Sequence, residues 1–360
     1  MSDIKVLGID LAKNVFQLHG NDEMGRAVFT KRLSRKALGD FVAKVRPCVI
    51  GMEACGGSHH WGRLFRQMGH EVRLVAPQYV KAFVRGNKTD SRDAQAIAEC
   101  VARPSMRLVA VKTTRQQEIA SMHRIRERLV RNRTSLGNEM RGILNEFGHT
   151  IPTGLKKLEE MLLVLAGDAD NGLSQDMRQM LIEARTELRE LTQKISLYET
   201  RLGQVCREME VCQRLIKIEG VGPMTATAIV SHVGDAKIFK NGREMSAYFG
   251  LVPGQHSSGG KTVMGRITKR GDRTIRKLLI HGARSVVRFS ENRTDPLRNW
   301  VNRIDKNRGR NKACVALANK NARIIWALMA RGEHYRARAV ENHLSLRGAL
   351  AHVAIPRVYP

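Results

Sequence analysis

Aromatic residues are scarce. Phe, Trp and Tyr together make up 5% of the 360 residues, which leaves few rings for bases to stack on and argues against stacking as the main route to nucleic-acid specificity. Acidic residues are also few. Against 34 Asp and Glu stand 62 Lys and Arg, a formal net charge of +28, which exceeds what solubility needs and calls for a polyanionic partner. No run approaches the roughly 18 consecutive apolar residues of a membrane span. The N-terminal MSDIKVLGID lacks the basic and then apolar regions of a signal peptide, and no amphipathic helix with bulky aromatics on one face stands out. We therefore expect a cytoplasmic chain without a membrane partner. The six cysteines, at 48, 55, 100, 206, 212 and 314, form no Cys-x-x-Cys pair and no zinc-finger spacing with histidine, so reduced thiols are expected. Cys206 and Cys212 would not share a face of a continuous helix. His59 and His60 read as exposed loop or helix-start residues rather than ligands.

A chain of this length is expected to hold two or three domains. IKVLGID (4–10), VFQLHG (15–20) and AVFTKRL (27–33) are short apolar or β-branched runs separated by turn residues and predict an antiparallel meander. A helical stretch (33–45), CVIGMEA (48–54), a second helix (60–69) and EVRLVAP (71–77) follow, the order of an α/β domain with a mixed sheet closed by a helix near Asp90. From about residue 114 long polar helices take over. Leu181, Ala184, Leu188, Leu191, Ile195, Tyr198, Leu202 and Val205 follow steps of three and four, a heptad seam. Met122, Ile125, Leu129, Leu136, Met140 and Ile143 offer it an antiparallel partner, with HTIPTGLKK and LAGDADNGLS as breakers between. Spacing alone serves an intramolecular hairpin and a dimerising coiled coil equally. Residues 211–360 hold 28 Lys and Arg against 9 Asp and Glu, so the polyanion is expected to meet this part first. The boundaries expected are 1–112, 113–208, 209–330 and a basic, mobile tail over 331–360.

Four carboxylates attract attention. Asp10 follows an apolar strand in VLGIDLAK and Glu53 ends another in VIGMEACGG. A strand buried on both faces has no solvent to share with an unpaired charge, and a bound metal would explain both. In NKTDSRDAQAIAE, Asp90 and Asp93 share a helix face three residues apart. Helix capping by Asp90 is the plain alternative. Four acidic oxygen donors suit Mg²⁺ or Mn²⁺, and two such ions about 4 Å apart activate an attacking oxygen and stabilise a leaving one.

GIDLAK, GMEACGG and NKTDSRDAQAIAE, in this order and at these separations, resemble the RuvC-type, RNase H-like domain of the DEDD transposases of bacterial insertion sequences. The resemblance implies that Asp10, Glu53, Asp90 and Asp93 are a metal-binding tetrad. It also implies an α/β RNase H-like domain followed by a helical coiled-coil hairpin and a mostly helical transposase domain.

Residues 215–230, LIKIEGVGPMTATAIV, read as helix, glycine turn and helix, a helix-hairpin-helix element whose Gly220 and Gly222 would present backbone N–H groups to a phosphate. A tight turn between packed helices needs the same glycines. In YFGLVPGQHSSGGKTVMGRITKRGDRTIRKLLIHGA (248–283) a glycine-rich loop holds two serines and a dense basic helix follows: Lys261, Arg266, Lys269, Arg270, Arg273, Arg276 and Lys277 around Asp272. These cations, with Lys88 and Arg92, are assigned to nucleic-acid backbone. GLVP followed by Ser-Gly and a Lys/Arg-rich helix resembles the C-terminal domain of the same transposases. There the serine before glycine is a nucleophile that becomes joined to the 5′ phosphate of cut DNA. Ser258 matches it, and Ser257 is the alternative one position away. A serine hydroxyl needs a base or metal to activate it, and His256 nearby reads as a bystander.

The resemblance, over residues 1 to about 330, implies a metal-dependent DNA recombinase acting on donor and target DNA, guided by a structured bridge RNA. It also implies a composite active site in a homodimer or homotetramer. Two rival classes are an RNase H-like nuclease or junction resolvase with water as nucleophile, and a non-enzymatic nucleic-acid-binding protein with a structural acidic cluster.

Overall fold

The computed structural model describes residues 4–84, 89–291 and 293–335. The chain divides into two compact units, residues 1–213 with 223–240, and residues 214–222 with 241–360.

In the first unit, strands β1 (Val6–Leu11), β2 (Val15–Asn21) and β3 (Ala27–Ser34) form the expected antiparallel meander. Helix α1 (Arg35–Val42), capped by the Ser34 hydroxyl, returns the chain to β4 (Val49–Glu53), which lies parallel to β1. Helix α2 (Ser58–Gln67) leads to β5 (Glu71–Val75), parallel to β4. A one-turn helix α3 (Pro77–Val80), helix α4 (Asp90–Ala102) and the two-residue strand β6 (Leu108–Val109) complete a six-stranded mixed sheet of order β3-β2-β1-β4-β5-β6.

Alternation along the strands divides the sheet into two faces. Leu7, Ile9, Phe16, Leu18, Ile50, Met52, Val72 and Leu74 join Leu38 and Val42 of α1 and Trp61 and Phe65 of α2 in one core. Helix α4 covers the other face, where Ile97, Cys100 and Val101 pack with Val6, Val49 and Val75.

Two glycines let α4 approach. Gly8 and Gly51 are partners across β1 and β4 and face this helix. A β-carbon on Gly8 would lie 2.3 Å from the Ala94 carbonyl oxygen, and one on Gly51 would lie 2.5 Å from a Val101 methyl. The obstacle at Gly8 is helix backbone, which cannot turn aside as a side chain can. Gly8→Ala is therefore expected to lower stability by about 3 kcal/mol through overpacking, measured as a reduced urea midpoint at unchanged slope.

The heptad seam is consumed inside the chain. Helices α5 (Thr114–Glu146) and α7 (Gln175–Glu208) run antiparallel: Ile119 packs with Leu202 and Val205, Leu129 with Leu191 and Ile195, and Met140 and Leu144 with Leu181, Ala184 and Leu188. Arg126 Nε donates to Glu199 Oε1 at 2.9 Å across the pair. Helix α6 (Leu155–Gly167) packs on α7 and takes in the ends of both expected breaker stretches, because Leu158, Leu162 and Leu165 need burial. Helix α9 (Pro223–Val233) rests on α5 and α7, with His123 hydrogen-bonded to Thr227 at 3.0 Å.

The separation expected for Cys206 and Cys212 is corrected. The helix breaks at Met209, whose φ and ψ are −97° and 111°, before α8 (Glu210–Leu215), and the two thiols are hydrogen-bonded. Burial, then the neighbouring Cys206, pushes the Cys212 thiol up to about 12. All six cysteines are free thiols.

The second unit contains α10 (Gly242–Tyr248), a hairpin of β7 (Pro253–Ser258) and β8 (Lys261–Ile267), and helices α11 (Arg273–Arg288), α12 (Pro296–Arg308) and α13 (Arg310–Arg331). Helix α13 is the centre against which α10, α11 and α12 pack. Arg298, 8% exposed, ties the turn before α9 to these helices through Glu219 and Asp295, and Asn321 donates to the Glu219 carbonyl at 2.8 Å. Arg331 closes α13 rather than opening the tail expected over 331–360, of which residues 336–360 lie outside the described residues.

Candidate active site

The register of β1 and β4 runs from Val6 opposite Val49 to Ile9 opposite Met52, so Asp10 and Glu53 are the next residues along neighbouring parallel strands. Each stands two residues beyond a glycine that faces α4, and therefore on that same face. Both are half-buried. Cys55 registers both charges: burial first, then Glu53, then Asp10, raises its thiol.

Helix α4 runs back along β1, its last turns over Val6 and its Ala94 over Gly8. Its first turn, with Asp90 and Asp93, accordingly lies toward the strand end that carries Asp10. Neither aspartate is the cap. Thr89 is the N-cap, its hydroxyl accepting from Arg92 N at 3.4 Å, which corrects the capping alternative for Asp90. Two carboxylates in a first helical turn suit the positive end of the helix dipole. Asp90 is exposed and Asp93 half-buried.

Among the described residues no group of three or more His, Cys, Asp or Glu side chains stands ready to hold a metal ion. Backbone topology thus assembles the strand carboxylates at one end of the sheet, beneath an acidic helix start, without closing them into a cage. The donor set, all carboxylate oxygen, fits a hard divalent cation.

Two neighbours were missed in the sequence. Cys55 is separated from Glu53 by a single residue, a proximity the chain already showed. His19 on β2 lies opposite Gly8 and is 6% exposed; burial lowers its pKa, while Asn21 and Glu99 work the other way. His59 lies in the first turn of α2, half-buried rather than exposed, and accepts a hydrogen bond from Lys112 N at 3.2 Å. Burial, then the nearby cations beginning with Lys112, lowers its pKa to about 4.

In the second unit the serine-bearing segment is a hairpin, not the loop expected. Ser257 and Ser258 end β7, with Gly259 and Gly260 as a two-residue turn of positive φ. Ser257 Oγ accepts from Gln255 Nε2 at 2.7 Å and lies 3.4 Å from Thr262 Oγ1, whereas Ser258 is exposed beside the turn. The basic run is likewise not one helix. Lys261 and Arg266 are on β8, Lys269 and Arg270 in the following loop, and only Arg273, Arg276 and Lys277 on α11, which Asp272 caps by accepting from Ile275 N at 2.8 Å. Arg276 donates to the Phe249 and Arg270 carbonyls, a fixed role within the fold. Gly220 packs on Gly282, where a β-carbon would meet carbonyl oxygen at 2.9 Å, while Gly222 is exposed. Arg92 is in the first turn of α4, and Lys88 lies outside the described residues.

A profile of DEDD transposases matches residues 7–149, the stretch with all four carboxylates. The chain is thus a DNA-processing enzyme of the transposase class, for which divalent-metal use and DNA substrates follow. A second profile, described as the transposase IS116/IS110/IS902 family, matches residues 212–297, which include the hairpin and all of α11. The chain belongs to this family of insertion-sequence transposases. It is 48% identical over 340 residues to the transposase for insertion sequence element IS1111A of Coxiella burnetii, covering 94% of this chain and 93% of that one. It is 46% identical over 332 residues to a probable family 20 transposase of Pseudomonas aeruginosa, covering 92% and 98%. The transposase for insertion sequence element IS1328 of Yersinia enterocolitica is 37% identical over 332 residues, with 92% and 98% covered. No helix among the described residues is long and apolar enough to cross a membrane.

Proposed function

We propose that the protein cuts and exchanges DNA strands with Ser258 as nucleophile, and that Asp10, Glu53, Asp90 and Asp93 hold the metal in an RNase H-like, RuvC-type domain. The observation that carries this reading is the placement of Asp10 and Glu53 at adjacent parallel strand ends, on the face where α4 begins with two more carboxylates. The four would hold Mg²⁺ or Mn²⁺, and two such ions, when bound, supply activation of an attacking oxygen and neutralisation of the charge on a leaving one.

The chain's own residues do the rest. Ser258 Oγ forms a bond to phosphorus, the bond from phosphorus to the 3′ oxygen breaks, and the serine proton ends on that oxygen. A 5′-phosphoserine and a 3′ hydroxyl result, and the phosphodiester energy is kept for rejoining. Lys88, Arg92, Lys269, Arg270, Arg273 and Lys277 bind nucleic-acid backbone, and Gly222 offers its own N–H at an exposed turn.

Sequence choice is assigned to a structured guide RNA that pairs with donor and target DNA. The support is compositional: a charge of +28 suits holding RNA and DNA together, and few aromatics are available for reading bases directly. Carboxylates and serine belong to separate compact units, and we assign their meeting to a homodimer or homotetramer in which chains share active sites.

The test is to incubate the protein and its co-purifying RNA with Mg²⁺ and labelled candidate DNA, then denature. A DNA-linked protein species, mapped by mass spectrometry to a peptide modified at Ser258, is expected. Cut DNA with no linked protein would instead identify water as the nucleophile, as in an RNase H-like nuclease or junction resolvase.

A further inference from the structure

Ser258 occupies the last paired position of β7, directly opposite Lys261, the first residue of β8. The turn that joins them, Gly259 and Gly260 at φ 53° and 78°, has the positive angles of the two-residue turn whose twist suits a hairpin. Loop length fixes the register, so this pairing is built into the chain. Residues directly opposite each other place their β-carbons about 5 Å apart on one face of the ribbon. Gln255, Ser257 and Thr262 belong to the other face, as their mutual hydrogen bonds show. His256, opposite Val263, shares the Ser258 face one step further from the turn. Ser258 and Lys261 are both exposed. An ammonium on a long, flexible stem therefore stands beside this hydroxyl through backbone geometry, unlike the cations of the following loop and helix.

We propose that Lys261 is a catalytic residue whose Nζ engages a non-bridging oxygen of the phosphate that Ser258 attacks. It is thereby distinguished from the cations that bind DNA along its length. The proposal rests on the assignment of Ser258 as nucleophile made above. A phosphodiester repels an incoming oxygen, and negative charge shifts as the new bond forms and the old one breaks. A cation fixed where that charge develops lowers the barrier more than one that binds the DNA equally before and during reaction. Lys261 keeps its proton throughout, so the step needs no further reactant: the serine proton still ends on the departing 3′ oxygen.

The experiment compares wild type, Lys261→Ala, Lys261→Arg and Arg273→Ala in adduct formation on two DNAs. One is natural, and the other carries an uncharged methylphosphonate in place of the scissile phosphate. On natural DNA Lys261→Ala is expected to slow adduct formation about 100-fold, and Lys261→Arg to recover most of that loss. On the methylphosphonate, which has no anionic oxygen to neutralise, Lys261→Ala should come within about threefold of wild type. Arg273→Ala should lose the same factor on both DNAs, as a residue that only binds. A Lys261→Ala defect of equal size on both substrates, no defect on natural DNA, or a methylphosphonate inert to both proteins overturns the proposal. Absence of a Ser258 adduct with wild type on natural DNA overturns the nucleophile assignment, and this inference with it. Because the position is exposed, unchanged thermal melts of Lys261→Ala are expected to exclude misfolding.

Discussion

Ser258→Ala is expected to abolish the DNA-linked species, to at least about 10³-fold below wild type, with DNA binding nearly unchanged. The substitution removes the attacking oxygen and little else. The side chain is exposed at a hairpin tip, and surface changes of this kind alter stability by about 0.5 kcal/mol or less. Ser257→Ala is the informative comparison. Its hydroxyl lies on the opposite face of the ribbon, held by Gln255 and Thr262, so its loss should disturb the hairpin slightly and leave the adduct in place. Denaturing gels of labelled DNA measure both. Should Ser257→Ala erase the adduct while Ser258→Ala retains it, the nucleophile has been assigned one residue too far along. Cleavage that persists in both, with no linked protein, would make the serine reading untenable.

Asp10→Asn is the second large effect, an expected fall in strand cleavage of about 10³-fold or more. The amide keeps the size and polarity of the carboxylate but loses the charge that a divalent cation needs. Melts of both proteins without metal set the baseline. Metal linkage then separates the site from the fold. With Mn²⁺ at about 100 times its Kd, the wild type should gain about 2.7 kcal/mol against unfolding, and Asp10→Asn should lose most of that gain. Equal stabilisation of both proteins by Mn²⁺ would place the ion elsewhere.

The parts of the fold most legible in the chain were those governed by short-range periodicity. Strands β1 to β5 follow from alternating or apolar runs bounded by turn residues, and α7 from its three-and-four spacing, because both repeats are properties of backbone geometry alone. Legibility failed where a contact arises between segments distant in sequence or where one residue interrupts a repeat. The thiols of Cys206 and Cys212 meet because the helix breaks at Met209, and no strong breaker announces that break. The basic run from Lys261 to Lys277 looked like one helix since charge carries no period of its own, yet a hairpin and loop occupy its first half. The cap of α4 fell to Thr89 because the helix begins at Asp90, one residue earlier than an Asp90 cap would require.

The candidate site shows the same division. Residue types, the order of the acidic motifs and the surplus of positive charge are properties of composition and local pattern, and they already pointed to metal-assisted chemistry on a polyanion. That Asp10 and Glu53 lie side by side depends on β1 and β4 being parallel neighbours in register, and that α4 starts above them depends on Gly8 and Gly51 admitting its backbone. Likewise, the seam of α7 suited a partner in this chain or another, and α5 covers it within the chain. Local pattern prescribes which faces must be buried; which surface buries them is a choice among long-range pairings, made by the packing of the whole chain at once.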